Sequence, residues 1–277
     1  KTDATCAVIE PKFLGLYCGL RDEAGRLPKG LFVARMNEED VEGADAAREA
    51  LASDPLLRDF TALRARAAVE LAECCALSSD DPAEIIFTSG TTSRPKGVVL
   101  THANILFSGL YADWEVSLTR DDRLLTTMPA CHSNFQMAAL MPVLTAGAEL
   151  IVIEKYSASR FWSQIREFRA TVTQCVAMML RTLMLQPEDA LERDHELREI
   201  LYFLPVTTEE KEAFERRFGV RIMNTYGSTE TIGWVLTDPP TGPRRWPSVG
   251  RVGLGYQARI VADDGAEAPV GEVGEIQ

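Results

Sequence analysis

Long apolar runs are missing from this chain of 277 residues. No uninterrupted stretch is long enough to span a bilayer, and no charged-then-apolar signal segment opens the sequence. Cysteine is sparse and unpatterned: the six stand at 6, 18, 74, 75, 131 and 175. With no Cys-x-x-Cys and no His/Cys zinc spacing, a zinc module is excluded. Free thiols in a reducing compartment are expected instead. Positive charge is also short, with 29 Lys and Arg against 41 Asp and Glu and a net charge of −12. That balance opposes non-specific nucleic-acid binding and gives an anionic membrane surface nothing to attract. The expectation is a cytoplasmic protein without nucleic acid or membrane as partner.

What is present reads as an α/β protein. Ala7-Val8-Ile9 is a short apolar run, the stretch 38–54 is acidic and Ala-rich, and 61–74 has helical spacing. After Asp80-Asp81-Pro82 the pattern changes. Compact apolar runs at 85–88, 97–101, 123–128, 149–154, 171–176, 200–203 and 220–223 read as strands. Helical stretches at 103–118, 135–144, 160–168, 177–185 and 209–218 lie between most of them. Thr207 with Glu210 fits a capping box, and Gly219 fits the left-handed end of the same helix. Strand–helix alternation argues a largely parallel sheet with helices on both faces. Past Gly227, prolines and glycines cluster, and runs at 256–262 and 271–276 flank an Asp263-Asp264-Gly265 turn. The expected division is an N-terminal part at 1–79, an α/β core at 80–230, and the start of a smaller β subdomain at 231–277.

Two segments carry chemistry. In the first, the strand ending at Thr88 runs into Ser89-Gly90-Thr91-Thr92-Ser93-Arg94-Pro95-Lys96-Gly97. Hydroxyls and backbone N–H groups at close range, a glycine without a Cβ, and the Lys96 point charge suit an anion. The pattern is neither a Walker loop nor the Rossmann fingerprint. Composition alone serves equally well for a Ser/Thr-rich turn between strands. The second segment, Asn224-Thr225-Tyr226-Gly227-Ser228-Thr229-Glu230-Thr231, sets an aromatic, a flexible glycine, hydroxyls and a carboxylate at a strand end. Tyr226 could stack on a base, Thr229 could bond a phosphate oxygen and Glu230 could ligate Mg2+. Alone, this segment too could be a capped turn.

The run TSGTTSRPKG followed by Thr101-His102-x-Asn104 resembles the signature loop of the AMP-binding, adenylate-forming family, with Ser93 where a glycine is common. The downstream Tyr-Gly-x-Thr-Glu is similar to the second signature of that family. The resemblance implies that Thr88, Ser89, Gly90, Thr91, Thr92 and Lys96 hold the β- and γ-phosphates of ATP. It further implies that Tyr226 packs on adenine beside Gly227, that Thr229 meets the α-phosphate and that Glu230 binds Mg2+. Met128-Pro129-Ala130-Cys131-His132 stands where the family has Pro-x-x-His. His132 is therefore expected to line the acyl pocket, with Asn134 and Phe135 beside it. Stretches such as 154–157, 178–184 and 244–253 resemble carnitine/crotonobetaine–CoA ligases. A trimethylammonium acid would need an aromatic face for its cation, and Trp234 is the candidate. One segment departs from the family: Leu201–Val206 replaces the common Gly-Gly-Ala, which bears on the shape of the acyl and adenine pocket.

The implied activity joins a small carboxylic acid to coenzyme A through an acyl-AMP, with ATP and Mg2+ and without a covalent enzyme nucleophile. Relatives continue past 271–276 into a ribose-binding aspartate, a hinge and a C-terminal domain with the adenylation lysine. The resemblance thus implies a fragment that alone completes the reaction poorly. Two other readings remain open: an adenylation unit that loads a carrier protein, and a non-catalytic nucleotide-binding module. Intact Lys96, Thr229 and Glu230 speak against the last. Oligomeric state is not readable.

Overall fold

The computed structural model describes residues 4–24, 30–36, 38, 41–66, 75–89, 94–203 and 205–277, without the side chains of 21–24. Two compact units form, Lys1–Ala76 and Leu77–Gln277.

In the first unit, β1 (Cys6–Ile9), β2 (Gly30–Val33) and β3 (Leu57–Asp59) make a parallel sheet in that order. Helices α1 (Leu14–Ala24), α2 (Ala44–Ser53) and α3 (Phe60–Arg64) accompany it. Its core gathers Ile9, Leu14, Leu31, Val33, Ala47 and Leu57. Asp59 starts α3 by accepting the Ala62 N–H at 3.1 Å. The helix expected over 61–74 starts there but ends at Arg64, and the stretch 67–74 lies outside the described residues.

The second unit opens with β4 (Pro82–Thr88) and β5 (Lys96–Thr101), followed by α4 (His102–Val116). There follow β6 (Arg123–Thr126), α5 (Ser133–Phe135), a π turn at Gln136–Leu140, and α6 (Met141–Ala146). Next come β7 (Glu149–Val152), α7 (Phe161–Glu167), β8 (Val172–Val176), α8 (Ala177–Met184), β9 (Glu199–Phe203) and α9 (Thr208–Phe218). The unit closes with β10 (Ile222–Ser228), β11 (Gly233–Thr237), β12 (Arg251–Val252), β13 (Ile260–Val261) and β14 (Glu275–Ile276).

Seven strands form the main sheet in the order β12-β11-β10-β9-β8-β6-β7. The pairs from β10 to β7 are parallel; β11 and β12 are antiparallel additions. Neighbouring residues alternate between two cores, as the period of two requires. Leu125, Ile200, Tyr202 and Ile222 pack under α7, α8 and α9, while Leu124, Leu201 and Met223 pack under α4 and α6. Helices therefore cover both faces, as the alternation of elements led one to expect.

The expected boundary at 230/231 runs through this sheet, since β11 and β12 continue it. Only the β13–β14 ribbon stands apart, around Gly265 in the left-handed region. The pair β4–β5 is likewise its own antiparallel ribbon and not part of the parallel sheet. Capping chemistry is as expected on α9: Thr207 and Glu210 exchange bonds of 3.2 and 2.9 Å, and Gly219 ends the helix at φ 73°. A second box, Thr101 with Asn104, fixes α4 to the end of β5.

One buried group gives the fold a pH dependence. Glu115 on α4 is wholly enclosed, and neither carboxylate oxygen has a hydrogen-bond partner. Burial pushes its carboxyl up to about 8 from 4.5, against the pull of Arg244 and with the help of Asp238 and Glu199. The native state therefore holds a proton that the unfolded chain releases. The stability this proton contributes is full below pH 4.5 and is lost as pH rises through about 8. The slope reaches at most about 1.4 kcal/mol per pH unit. Glu115→Gln is expected to flatten the pH dependence of the urea midpoint over this window. A slope equal to that of the parent would contradict it.

Candidate active site

Four strand ends converge. The chain leaves β6 into the His132 loop, Val176 ends β8, Phe203 ends β9 and Gly227 lies near the end of β10. These are the carboxyl ends of parallel strands, where open α/β sheets form their crevices. A cavity of about 630 Å3 opens there, lined by residues of the β4–β5 ribbon on one side and of the 227–234 corner on the other.

Thr88 and Ser89 line it from the ribbon. Lys96 is the residue directly opposite Thr88, and opposed residues of an antiparallel pair present side chains to the same face. Lys96 itself is exposed and does not line the cavity. Gly90, Thr91 and Thr92 lie outside the described residues.

The His132 loop is held by a buried chain of hydrogen bonds. Met128 N–H donates to Thr126 Oγ1 at 3.1 Å, and that hydroxyl donates to Gln174 Oε1 at 2.7 Å. Gln174 Nε2 then donates to the Asn134 carbonyl at 2.7 Å. Both ends of the loop are thus tied to one fully buried amide, which leaves no polar atom of it unpaired. His132 caps α5: its Nδ1 accepts the Asn134 N–H at 3.0 Å. In the neutral ring the proton then resides on Nε2. His132 and Asn134 line the cavity. Phe135, expected beside them, does not. It is 8% exposed, because the next step of the helix turns it into the interior.

The opposite corner is tight. A Cβ on Gly227 would stand 1.8 Å from the Gly233 carbonyl oxygen, so only glycine fits this close crossing of β10 and β11. Ile232 takes φ 63°, a left-handed conformation that a β-branched residue rarely adopts. Thr229 is buried and donates to Ser133 Oγ at 3.1 Å, which joins the two walls. Glu230 is exposed at the cavity wall, and Gly227 lines it too. Trp234 is 7% exposed and stacks on Phe203 with centroids 4.3 Å apart; both line the cavity. Tyr226 lies elsewhere, half-exposed, in an adjoining cavity of about 280 Å3 with Phe203, Val206, Trp234 and Trp246.

The structure therefore brings Thr88, Ser89, His132, Asn134, Gly227, Thr229, Glu230 and Trp234 to one space. Sequence reasoning missed the bond between Ser133 and Thr229, and it missed Gln174 altogether. A polar residue inside the apolar run 171–176 was the available signal, since a buried amide demands partners. Glu230 is the one carboxylate among the described residues that line the cavity, and no Lys or Arg lines it.

A family model described as AMP-binding enzyme matches residues 24–277. The crotonobetaine/carnitine–CoA ligase of Salmonella typhi is 50% identical over 228 residues, covering 82% of this chain and 44% of that protein. Its counterpart in Salmonella enteritidis PT4 matches to the same extent. The chain thus spans less than half the length of the curated relatives it matches. An anthranilate CoA ligase in complex with anthranoyl-AMP superposes with a TM-score of 0.80 at 21% identity, over 99% of this chain and 50% of that one. An O-succinylbenzoate coenzyme A synthetase from Bacillus subtilis, solved with ATP and a magnesium ion, gives 0.71 at 25% identity, over 94% and 52%.

Proposed function

This chain belongs to the AMP-binding enzyme family, and we propose that it carries the ATP- and acid-binding core of a carboxylic acid–CoA ligase. The observation that supports this best is the single cavity onto which Thr88 and Ser89 open from one side and Thr229 and Glu230 from the other. In this reading Thr88, Ser89, Gly90, Thr91, Thr92 and Lys96 hold the terminal phosphates, and Thr229 meets the α-phosphate. Adenine packs on Tyr226 in the smaller cavity, whose aromatic walls suit a flat base. Among the described residues no group of three or more ligating side chains exists. A closed metal cage is therefore a poor fit, whereas Mg2+ suits Glu230 alone, because it keeps waters and takes phosphate oxygens for its other positions. When bound, it supplies positive charge to the phosphates.

The chemistry needs little else from the protein. A carboxylate oxygen of the acid bonds to the α-phosphorus while the bond to the pyrophosphate oxygen breaks. Coenzyme A, its thiol proton released to solvent, then bonds through sulfur to the acyl carbon while the carbon–oxygen bond to AMP breaks. Both partners of the first step are anions, so positioning and charge neutralisation carry the rate. His132, with Nδ1 engaged by Asn134, offers its Nε2–H to the acid carboxylate. A cytoplasmic location goes with this reading, since free thiols such as Cys131 and Cys175 persist in a reducing compartment.

The acid we infer is small and carries a trimethylammonium group, as in carnitine and crotonobetaine. The absence of lining Lys or Arg among the described residues favours a neutral or cationic tail over a second anion. Trp234 stacks on Phe203 and lines the cavity, where its ring would meet the cation. The test is acid-dependent pyrophosphate exchange by the full-length protein with a panel of acids. Exchange with carnitine, crotonobetaine or butyrobetaine supports the reading; nucleotide-induced thermal stabilisation without exchange for any acid abandons it. Trp234→Leu is expected to reduce the preference for these acids over plain short-chain ones about tenfold. An unchanged ratio removes Trp234 as the cation receptor.

A further inference from the structure

The corner that carries Thr229 and Glu230 is made mostly of bonds to itself. Thr231 Oγ1 accepts the Ser228 N–H at 2.9 Å, the Thr231 N–H donates to the Ser228 carbonyl at 3.3 Å, and the Ile232 N–H donates to the Thr229 carbonyl at 3.2 Å. These bonds are long or local, and Ile232 sits in a conformation it disfavours. The Thr229–Ser133 bond and the packing of Ile232 on Ile86, Leu100 and Met137 hold side chains of the corner, and something must also hold its backbone. Among the described residues, one hydrogen bond reaches the backbone of 229–232 from beyond 228–233: the Tyr256 hydroxyl donates to the Thr231 carbonyl.

Tyr256 is itself firmly set. Its ring meets Phe107 and Tyr111 of α4 edge-on, at centroid distances of 5.8 and 5.7 Å. The turn before it is pressed onto the same helix, since a Cβ on Gly253 would stand 1.8 Å from Tyr111 Oη. Gly253 N–H donates to the Val235 carbonyl at 2.8 Å, which ties that turn to β11. Helix α4 is capped onto the end of β5, so the same body that anchors Tyr256 also carries the ribbon with Thr88. Burial, with the nearby Glu115 carboxyl, lifts the phenol to about 12, so it keeps its proton throughout the working range.

We propose that Tyr256 is a positioning residue: by donating to the Thr231 carbonyl it locks Ile232 in its left-handed turn and fixes Glu230 relative to the β4–β5 ribbon. The functional half of the proposal rests on the reading of Glu230 as the Mg2+ carboxylate. The structural half does not. Without the phenol hydroxyl, Ile232 relaxes, and Glu230 is delivered to the cavity in several positions instead of one.

The test uses the full-length protein. Tyr256→Phe keeps the ring and its packing and removes one donor. It is expected to raise the Mg2+ concentration for half-maximal pyrophosphate exchange about tenfold, the worth of one well-placed hydrogen bond, with little change in melting temperature. Glycine adopts the left-handed region freely. The loss caused by Tyr256→Phe is therefore expected to be much smaller in an Ile232→Gly background than in the parent, although Ile232→Gly itself forfeits the packing of that side chain on Ile86, Leu100 and Met137. Strictly additive effects of the two substitutions overturn the proposal. Amide hydrogen exchange at Thr231 and Ile232 reads the hold without any activity: Tyr256→Phe should quicken it, and unchanged exchange overturns the proposal as well. If the parent protein shows no pyrophosphate exchange with any acid, the enzymatic reading falls, and the amide measurement still decides whether Tyr256 holds the corner.

Discussion

Glu230→Gln is expected to lower acid-dependent pyrophosphate exchange by the full-length protein about 10²- to 10³-fold, the usual loss when a charge-stabilising group is removed from a transition state. The substitution keeps shape and one acceptor oxygen but discards the charge. It does so at the one carboxylate among the described residues that line the cavity. Among the described residues no other acid lines the cavity to substitute, and Glu230 is exposed, so the fold has no stake in it. Melting temperature should therefore stay where it was while the stabilisation produced by Mg2+ with nucleotide shrinks. Exchange within a few-fold of the parent would remove Glu230 from the metal role.

Gly227→Ala should be the most damaging single methyl group in the corner. The added carbon would lie 1.8 Å from the Gly233 carbonyl oxygen and 2.8 Å from Trp234 Cα, so β10 and β11 must part. Both obstacles are backbone, and no rotamer change relieves them. Overpacking of this kind costs about 1–3 kcal/mol or more. The corner that absorbs it carries Thr229 and Glu230, so exchange should fall by at least about 10²-fold even in molecules that fold. Denaturant titration and exchange measured together check both halves. A variant with the stability and activity of the parent would mean that β10 and β11 do not cross as closely as described.

Much of this was legible in the sequence because local chemistry decides it. Thr207, Glu210 and Gly219 bound a helix through bonds within a few residues of one another, and the structure has that helix. The strands 123–126, 149–152, 172–176 and 199–203 follow from compact apolar runs between helices. The two signature segments could be read individually because each is a short run of suitable donors. Their meeting could not be read from composition, since it depends on which strand lies beside which. Partnering is also why the sequence left open where β4 and β5 pair: apolar runs look alike whether they pair with each other or with a distant strand. The same non-local choice carries β11 and β12 across the expected boundary. Phe135 was misplaced for a smaller reason. A helix separates neighbours by about 100°, so a list of consecutive pocket residues is bound to include one that faces inward. The π turn at 136–140 interrupts a stretch whose apolar pattern gave a single helix.

The amide of Gln174 sets a limit on how this cleft can be altered. It secures the span from Met128 to Asn134 at both extremities, so replacing it would set the whole floor adrift, His132 included. Met137, Val176 and Phe203 line the same space, and their apolar side chains make no hydrogen bond that holds the loop. Selection or design that retunes the accepted acid is therefore channelled toward those apolar walls, while the floor stays fixed from one specificity to the next.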